Sequence, residues 1–134
     1  MAKINSYREL KVWQKAMDVV ESVYRLSITL PESERYGLRT QSQRAAVSIP
    51  SNIAEGFGRG SSADYCRFLT IARGSLMELE TQLALMVRLG LIDRNHMLPV
   101  WEQCQEVGRM LTALRTSISR STAKPKAQSP RPKA

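Results

Sequence analysis

The stretch from Gln41 to Ser75 constrains the fold more than any other part of the sequence. A long helical pattern runs through it, is interrupted by Pro50, and gives way to a glycine-rich turn before a second helical pattern begins. Apolar side chains recur along the first pattern at Leu38, Ala45, Ile49, Ile53 and Phe57. This spacing of three or four residues predicts an amphipathic helix with one apolar face directed toward a core.

Pro50 lies in the middle of this pattern, where it lacks the N–H needed for one bond of the helical ladder. A kink within one helix and a break into two helices are both compatible with a proline at this position. The apolar stripe keeps its phase from Ile49 to Ile53, which favours the kink. We therefore predict one bent helix, with both isoleucines buried on either side of the proline.

Three further amphipathic patterns accompany this one, and short connections join all four. Helices are expected over roughly Tyr7–Thr29 and Glu32–Glu55, followed by a third helix and by a fourth that ends near Ile118. The predicted core stripe of the first helix comprises Leu10, Trp13, Met17, Val20 and Tyr24. That of the third comprises Tyr65, Phe68, Leu69, Ala72, Leu76, Leu79, Leu83 and Met86. That of the fourth comprises Met97, Trp101, Cys104, Gly108, Leu111, Leu114 and Ile118. Because short connections place successive helices antiparallel, the sequence predicts an all-α, antiparallel up-down-up-down four-helix bundle over residues 1–118.

Local signals mark the ends of these helices. Ser6 with Glu9, and Ser61 with Asp64, have the spacing of a capping box, in which a serine side chain accepts from a backbone N–H of the first turn. Gly74 inside the third helix costs up to about 1 kcal/mol relative to alanine. We therefore expect the backbone of a neighbour to approach closely at that glycine.

The positive charge of the sequence is concentrated at its C-terminal end. The chain carries a formal net charge of +8, and residues 119–134 contribute +5 of it because they contain five lysines and arginines and no acid. Proline, serine and alanine make up much of the rest, a composition typical of disorder. We predict that residues 119–134 form a disordered basic tail able to act as an electrostatic arm.

Few residues could support catalysis or metal binding. Cys66 and Cys104 are far apart and form no CxxC motif, which indicates reduced thiols, and His96 is the sole histidine. Glu55 beside Arg59 is the one suggestive acidic cluster, and it has the spacing of an ordinary helical i,i+4 pair. We therefore expect no enzymatic activity, no cofactor and no metal. The lack of a signal peptide and of a membrane-spanning apolar run predicts a cytoplasmic protein.

Six arginines on the second and third helices are candidates for nucleic-acid binding, since the guanidinium group can bind phosphate through two hydrogen bonds. They are Arg35, Arg39, Arg44, Arg59, Arg67 and Arg73. A mildly basic, simply solvated surface is the alternative. Tyr65, Phe68 and both tryptophans fall on core stripes, so no aromatic platform for stacking bases is expected. Binding should then follow the phosphate backbone and discriminate poorly between sequences.

Four motifs of the chain resemble those of the 23S rRNA-intervening sequence proteins. They are L-x-x-W-Q-K-A from Leu10, Y-G-L-x-x-Q from Tyr36, R-A-A-V-S-I-P-S-N-I-A-E-G from Arg44 and F-L-x-I-A-R-G-S-L-x-E-L from Phe68. The resemblance covers roughly Tyr7 to Ile118. The family takes its name from reading frames in insertions of large-subunit ribosomal RNA genes. It is similar to the accessory variability proteins of diversity-generating retroelements.

The resemblance implies a non-enzymatic four-helix bundle that assembles into a homopentameric ring, binds RNA or DNA and partners a reverse transcriptase. With such a ring, the polar stripe Ser48, Asn52, Glu55 and Arg59 is expected at or near contacts between subunits. The alternative is an oligomeric protein scaffold with no direct nucleic-acid role. The small residues of the second helix, with Gly74, would permit close helix–helix contact in either case.

Overall fold

The computed structural model describes residues 3–128 of the 134-residue chain. Four α-helices follow one another: α1 Lys11–Ser27, α2 Leu38–Phe57, α3 Ser62–Arg88 and α4 Arg94–Gln128. Short 3-10 helices at Tyr7–Glu9 and Glu32–Glu34 precede α1 and α2. Residues 3–128 contain no strand, and the predicted all-α, four-helix class is confirmed.

The helices pack in chain order around a closed cycle, α1 against α2, α2 against α3, α3 against α4 and α4 against α1. Going forward along α2 from Ser48 to Gly56, the neighbouring residue on α3 moves backward from Ser75 to Phe68. Contacts across the other three boundaries are Ser27–Gln43, Glu80–Gln105 and Lys15–Glu106. Their positions are those of antiparallel neighbours, as an up-down-up-down bundle requires.

The core runs along the axis of the bundle and takes its largest side chains from α2 and α3. Ile49 and Ile53 are both fully buried, on either side of Pro50, as predicted. The α3 stripe is also confirmed, since seven of its eight residues are buried and Tyr65 packs against the core while half-buried. On α4 the buried set gains Val100 and Val107, whereas Trp101 stays partly exposed.

The predicted stripe of α1 is confirmed only in part. Leu10, Trp13 and Val20 are partly buried and pack against the core, whereas Met17 and Tyr24 are 38% and 43% exposed. The most deeply buried positions belong to a neighbouring stripe of smaller residues with the same helical spacing: Val12, Ala16, Val19, Val23 and Leu26. On the side toward α2, Trp13 and Met17 line a groove with Val47 and Pro50.

Pro50 lies within one continuous helix, so the break into two helices does not occur. The neighbouring hydroxyls that could have replaced the missing ladder bond have other partners. Ser51 donates to the carbonyl of Val47 at 2.8 Å, and Ser48 bonds Ser75 of α3 at 2.7 Å. The two serines therefore stabilise α2 and its contact with α3 and do not compensate the carbonyl freed by the proline.

Of the two predicted serine caps, the one at Ser61 caps its α-helix, whereas the one at Ser6 does not. Ser61 accepts from the backbone N–H of Asp64 at 3.1 Å and is the N-cap of α3. Ser6 caps the short 3-10 helix by accepting from the Arg8 N–H, and α1 begins later, at Lys11, with Leu10 as an N-cap that makes no side-chain hydrogen bond. At the other end of α3, Gly90 takes a left-handed φ of 72°, the conformation that ends many helices.

Two glycines have opposite surroundings. A Cβ atom at Gly56 would lie 2.8 Å from Cβ of Phe68, so α2 and α3 are in close contact there. A Cβ atom at Gly74 would meet nothing within 4 Å. The expectation of a close approach at Gly74 is therefore wrong within this chain, and Gly56 is the position where the absence of a side chain permits helix packing.

The fourth helix is longer than the sequence suggested. Instead of ending near Ile118, α4 continues to Gln128, so residues 119–128 have a helical backbone where a disordered tail was predicted. Helical hydrogen bonds are local and need no core, so α4 can continue past its last core contact although Pro125 lacks one backbone donor. Ile118 is the last described residue that packs against the core. The remaining residues of the predicted tail, 129–134, lie outside the described residues.

None of the described helices combines the length and the hydropathy that a membrane-spanning helix needs.

Candidate nucleic-acid interface

A basic groove lies between α3 and α4, near the middle of the bundle. It has a volume of about 290 Å³, and Arg73 of α3 and Arg109 of α4 line it from its two sides. Neither arginine has an acidic partner within salt-bridge distance among residues 3–121. Their guanidinium groups are therefore available to an anion from solvent.

Packing at one glycine brings the two arginines to the same groove. Gly108 of α4 faces Leu76 of α3 so closely that an added Cβ atom would lie 3.3 Å from a leucine methyl carbon. Arg73 precedes Leu76 by one helical turn, and Arg109 follows Gly108 directly. The antiparallel contact of α3 and α4 thus places on one surface two residues that are 36 positions apart in the sequence.

The floor of the groove holds a carboxylate, Glu80, which accepts a hydrogen bond from the Gln105 amide at 3.2 Å. Burial raises the pKa of this carboxyl, while the bond from Gln105 and the charge of Arg73 act in the opposite direction. Because the net shift is upward, Glu80 takes up a proton at a higher pH than an ordinary glutamate. Acidification therefore removes the one negative charge of the groove earlier than it neutralises most surface carboxylates.

Two further exposed arginines lie on the C-terminal half of α4. The Cys66 thiol of α3 lies 3.8 Å from the carbonyl oxygen of Arg115, which fixes Arg115 next to the first turns of α3. Arg115 and Arg120 are exposed and have no acidic partner among the described side chains. Arg73 and Arg109, which share the groove, are called the arginine face below.

Arg59 and Arg67 form a separate cluster at the turn between α2 and α3. Their guanidinium carbons lie 4.8 and 4.7 Å from the centroid of the Phe68 ring, within cation–π distance. Arg67 also pairs with Asp64 at 3.6 Å. Phe68 thus holds two predicted site residues close together, and the nearby carboxylate offsets part of their charge.

The remaining predicted arginines lie neither in the α3–α4 groove nor in the Arg59–Arg67 cluster. Arg35 and Arg39 lie at the opposite end of the bundle, where both contact the carboxylate of Glu32, at 3.2 and 3.9 Å. Arg39 also donates to the carbonyl of Leu30 at 2.9 Å, and its side chain is mostly buried. Arg44 is exposed and lines a groove between α1 and α2. The six candidates are therefore distributed over four separate surfaces.

The polar stripe predicted at subunit contacts lies along the α3 side of α2. Ser48 and Asn52 are half-buried and engaged inside the chain, Ser48 with Ser75 and Asn52 with the Ser48 carbonyl at 2.8 Å. Glu55 and Arg59 are exposed. The first two residues hold α2 against α3, whereas the last two are accessible to another molecule.

Sequence reasoning did not single out Arg109, Arg115 or Arg120 on the fourth helix. Their signal was present in the fourth helix, where they recur at intervals of six and five residues. That spacing is not obviously one-sided on a helix, and it was outweighed by the apolar stripe. Only the contact between α3 and α4 shows that Arg109 shares a groove with Arg73.

The described residues contain no group of three or more histidine, cysteine, aspartate or glutamate side chains able to hold a metal ion. Both cysteines are free, Cys104 buried in the core and Cys66 half-buried. Burial, with a smaller contribution from the Glu80 charge, raises the pKa of the Cys104 thiol from 9.0 to about 12. This thiol therefore stays protonated at neutral pH and is a poor nucleophile.

At pH 8, we expect a reagent that reacts with accessible thiols to modify Cys66 in the native protein and to modify Cys104 only after unfolding. The variant Cys66→Ser isolates the buried thiol and should lose native reactivity. Because the folded pKa of Cys104 is raised, its contribution to stability is complete below pH 9 and is lost as the pH rises toward about 12. Rapid modification of Cys66→Ser at pH 8 without unfolding would contradict the burial of Cys104.

Comparison with known proteins agrees with this architecture. Residues 8–113 match the family model described as 23S rRNA-intervening sequence protein. A crystal structure of a protein of unknown function from the S23 ribosomal protein family of Bacteroides thetaiotaomicron is similar to the chain, with 26% sequence identity and a TM-score of 0.73. The match covers 78% of this chain and 97% of that protein. No curated protein matches the sequence.

Proposed function

Since the chain belongs to the 23S rRNA-intervening sequence protein family, we propose that it is a non-enzymatic homo-oligomer that binds nucleic acid through the arginine face. The observation that supports this most directly is the groove shared by Arg73 and Arg109. Two guanidinium groups without acidic partners, on opposite walls of one groove, are suited to the phosphates of a polynucleotide backbone.

The arrangement favours backbone contacts over base recognition. The exposed large aromatic side chains of the described residues are Tyr24 and Tyr36, and neither lies on α3 or α4. Phe68 is buried, and its contacts with Arg59 and Arg67 occupy the region around its ring. With no stacking platform beside the arginines, affinity should depend strongly on salt and little on sequence.

The test is a salt-titrated binding assay with duplex and structured RNA and DNA. Replacing Arg73 and Arg109 together by alanine should weaken binding at least about tenfold near 0.15 M salt, since each removes a charge-assisted hydrogen bond. The slope of log K against log salt should become shallower by roughly two units if each arginine neutralises one phosphate.

The matched control replaces Lys11 and Arg44 by alanine. Both are exposed, lack acidic partners among the described side chains, and lie on α1 and α2. The control removes the same total charge from another surface, so its effect measures nonspecific attraction alone. Equal losses of nucleic-acid affinity in the two double variants would contradict a site on the arginine face. They would indicate that all basic surfaces contribute to binding.

Deletion of residues 119–134 separates the bundle from the basic C-terminal segment, which carries +5 of the +8 formal charge. We expect the truncated protein to keep binding near 0.15 M salt, where the Debye length is only about 8 Å, with a shallower salt slope. Complete loss of binding would remove the bundle as a nucleic-acid module.

We also propose, from the family, that five subunits form a ring, with Glu55 and Arg59 at or near subunit contacts. Light scattering should then report a mass of about 75 kDa, five times the 15.1 kDa of one chain. In a ring the arginine face is presented five times, so modest contacts gain avidity. A mass of about 15 kDa throughout the micromolar range would be incompatible with the ring.

A protein scaffold is the second candidate, and one observation favours it. A groove of about 340 Å³ between α1 and α2 is lined mainly by apolar and aromatic side chains: Tyr7, Trp13, Met17, Val20, Val47, Pro50 and Ala54, with Ser51. Such a groove suits the apolar face of a partner helix. If neither double variant, Arg73 with Arg109 or Lys11 with Arg44, binds nucleic acid more weakly than the unmodified chain, this candidate replaces the first. A reverse transcriptase as the partner stays a prediction of the resemblance.

A further inference from the structure

The most exposed large apolar side chains lie at one end of the bundle. Tyr36, Ile28 and Leu89 have exposed fractions of 84%, 64% and 62%, the highest of any large apolar residue among those described. Ile28 ends α1, Leu89 ends α3, and Tyr36 belongs to the connection between α1 and α2. All three therefore belong to the end that carries the α1–α2 and α3–α4 connections, which is called the connection end below.

An apolar recess adjoins these protruding side chains. A groove of about 560 Å³ lies between the last turns of α1 and the first turns of α4. Its apolar lining comprises Leu26, Leu91, Ile92 and Val100. Ile28 directly precedes Thr29 of its rim, and Leu89 lies two residues before Leu91. The connection end thus combines apolar protrusions with an apolar recess on one continuous surface.

The charges of this end are largely balanced and partly paired inside the chain. Arg25 pairs with Glu21 at 3.5 Å, and His96 lies 3.8 Å from Asp93. Glu32 contacts both Arg35 and Arg39, as described above. Arg88 and Arg94 have no acidic partner among the described side chains, and Glu34 has no basic one. One carboxylate oxygen of Glu34 accepts the Leu38 N–H at 3.0 Å, which leaves its second oxygen for another partner. A nearly neutral surface can face its own copy without net repulsion, unlike the arginine face.

We propose that the connection end binds the connection end of a second copy of this chain across a two-fold axis. A two-fold contact requires a self-complementary surface, because each patch meets its own equivalent. Here Ile28 and Leu89 of one copy have an apolar recess to enter on the other, and the second carboxylate oxygen of Glu34 can meet Arg88 or Arg94. Burial of these exposed side chains supplies the driving force.

This contact is independent of the proposed ring. The ring contacts proposed above are at Glu55 and Arg59, beside the α2–α3 connection, whereas the connection end lies at the other end of the bundle, so the two kinds of contact can coexist. If five subunits form a ring, the end contact joins two rings; otherwise it joins two monomers. The tip of a four-helix bundle is smaller than the roughly 800 Å² per partner of a standard interface, so the association should be weak.

The test measures mass by light scattering from about 5 to 500 μM, because weak interfaces associate only at high concentration. The double variant Ile28→Lys, Leu89→Lys should have half the mass of the unmodified chain at the highest concentration. Lysine is compatible with helix C-termini and places like charges across the axis. The control Met77→Lys, at a side chain 57% exposed in the middle of α3, should leave the doubling intact.

A crosslinking arm identifies the contacting surface and does not depend on the lysine variants. In the Cys66→Ser chain, Leu89→Cys should give a covalent dimer with a short bismaleimide, whereas Met77→Cys should not. Failure of the unmodified chain to double in mass overturns the proposal, as does a doubling that survives the lysine variant while its helical content is unchanged. Salt-titrated nucleic-acid binding of the lysine variant reports separately on the arginine face.

Discussion

Replacing Ile53 by alanine is expected to lower the free energy of unfolding by about 2–5 kcal/mol. Ile53 is fully buried on α2, one turn after Pro50, in the cluster that joins all four helices. Removing its outer carbons loses their transfer free energy and leaves a cavity, because a helix containing a proline has limited freedom to collapse onto the gap. Urea unfolding followed by circular dichroism measures the change as a shift in midpoint at constant slope.

The control for this substitution is Val47→Ala on the same helix. Val47 is 40% exposed and lines the α1–α2 groove, so its truncation should change stability by no more than about 0.5 kcal/mol. Two similar losses, or a small loss at Ile53, would show that the buried face of α2 is assigned incorrectly. The comparison therefore tests the packing of the helix that contains the proline.

Alanine substitutions at Gly56 and Gly74 are expected to change stability in opposite directions. Each exchange gains helix propensity of up to about 1 kcal/mol. At Gly56 the new Cβ would lie 2.8 Å from Cβ of Phe68 and 3.3 Å from the carbonyl oxygen of Tyr65, and neither atom can move without moving α3. Overpacking of this kind costs about 1–3 kcal/mol, so Gly56→Ala should destabilise the bundle.

At Gly74 the added methyl group meets open space, so the gain in propensity should remain and the protein should become more stable. Thermal or urea unfolding gives the change in the free energy of unfolding for each variant. Subtracting one change from the other cancels the intrinsic helix preference for alanine, which both variants share. Destabilisation by Gly74→Ala in the oligomer but not in dilute solution would indicate that a neighbouring subunit approaches this glycine. Stabilisation by both variants would contradict the close contact of α2 and α3.

The arginine face and the connection end are two surfaces with different electrostatic properties. On the first, Arg73 and Arg109 have no acidic partner within salt-bridge distance among the described side chains. On the second, Arg25 and Arg35 are paired with carboxylates of their own helices or turns. Separation of this kind would let one subunit bind a polyanion and a copy of itself without competition between them.

Much of the fold could be predicted from the sequence because its helices are strongly periodic. The α2 and α3 stripes, the Ser61 cap and the helix class depend on interactions within a few residues of each other. The α1 stripe could not be chosen this way. One apolar face of α1 contains Val12 and Val19, and the neighbouring face contains Trp13 and Val20 with the same helical spacing. Only the space left between α2 and α4 decides which of the two faces is more deeply buried.

The candidate site was less predictable than the fold. Arg67 and Arg73 were identified on α3, but Arg109 became relevant only through the contact of Gly108 with Leu76. Arg39 counted as a candidate by residue type, whereas the structure directs its guanidinium to the Leu30 carbonyl. Residue type indicates that a side chain can bind phosphate, but the partners that it already has are set by tertiary contacts.

The sequence by itself determined four amphipathic helices, their order and most of their buried residues, since periodicity and capping act locally. Tertiary structure decided which α1 face is buried, that Gly56 and not Gly74 is the point of close packing, and which arginines share a surface. These outcomes depend on distances between residues far apart in the chain. Such distances are fixed by the way side chains of different helices fill a common space, which no local pattern encodes.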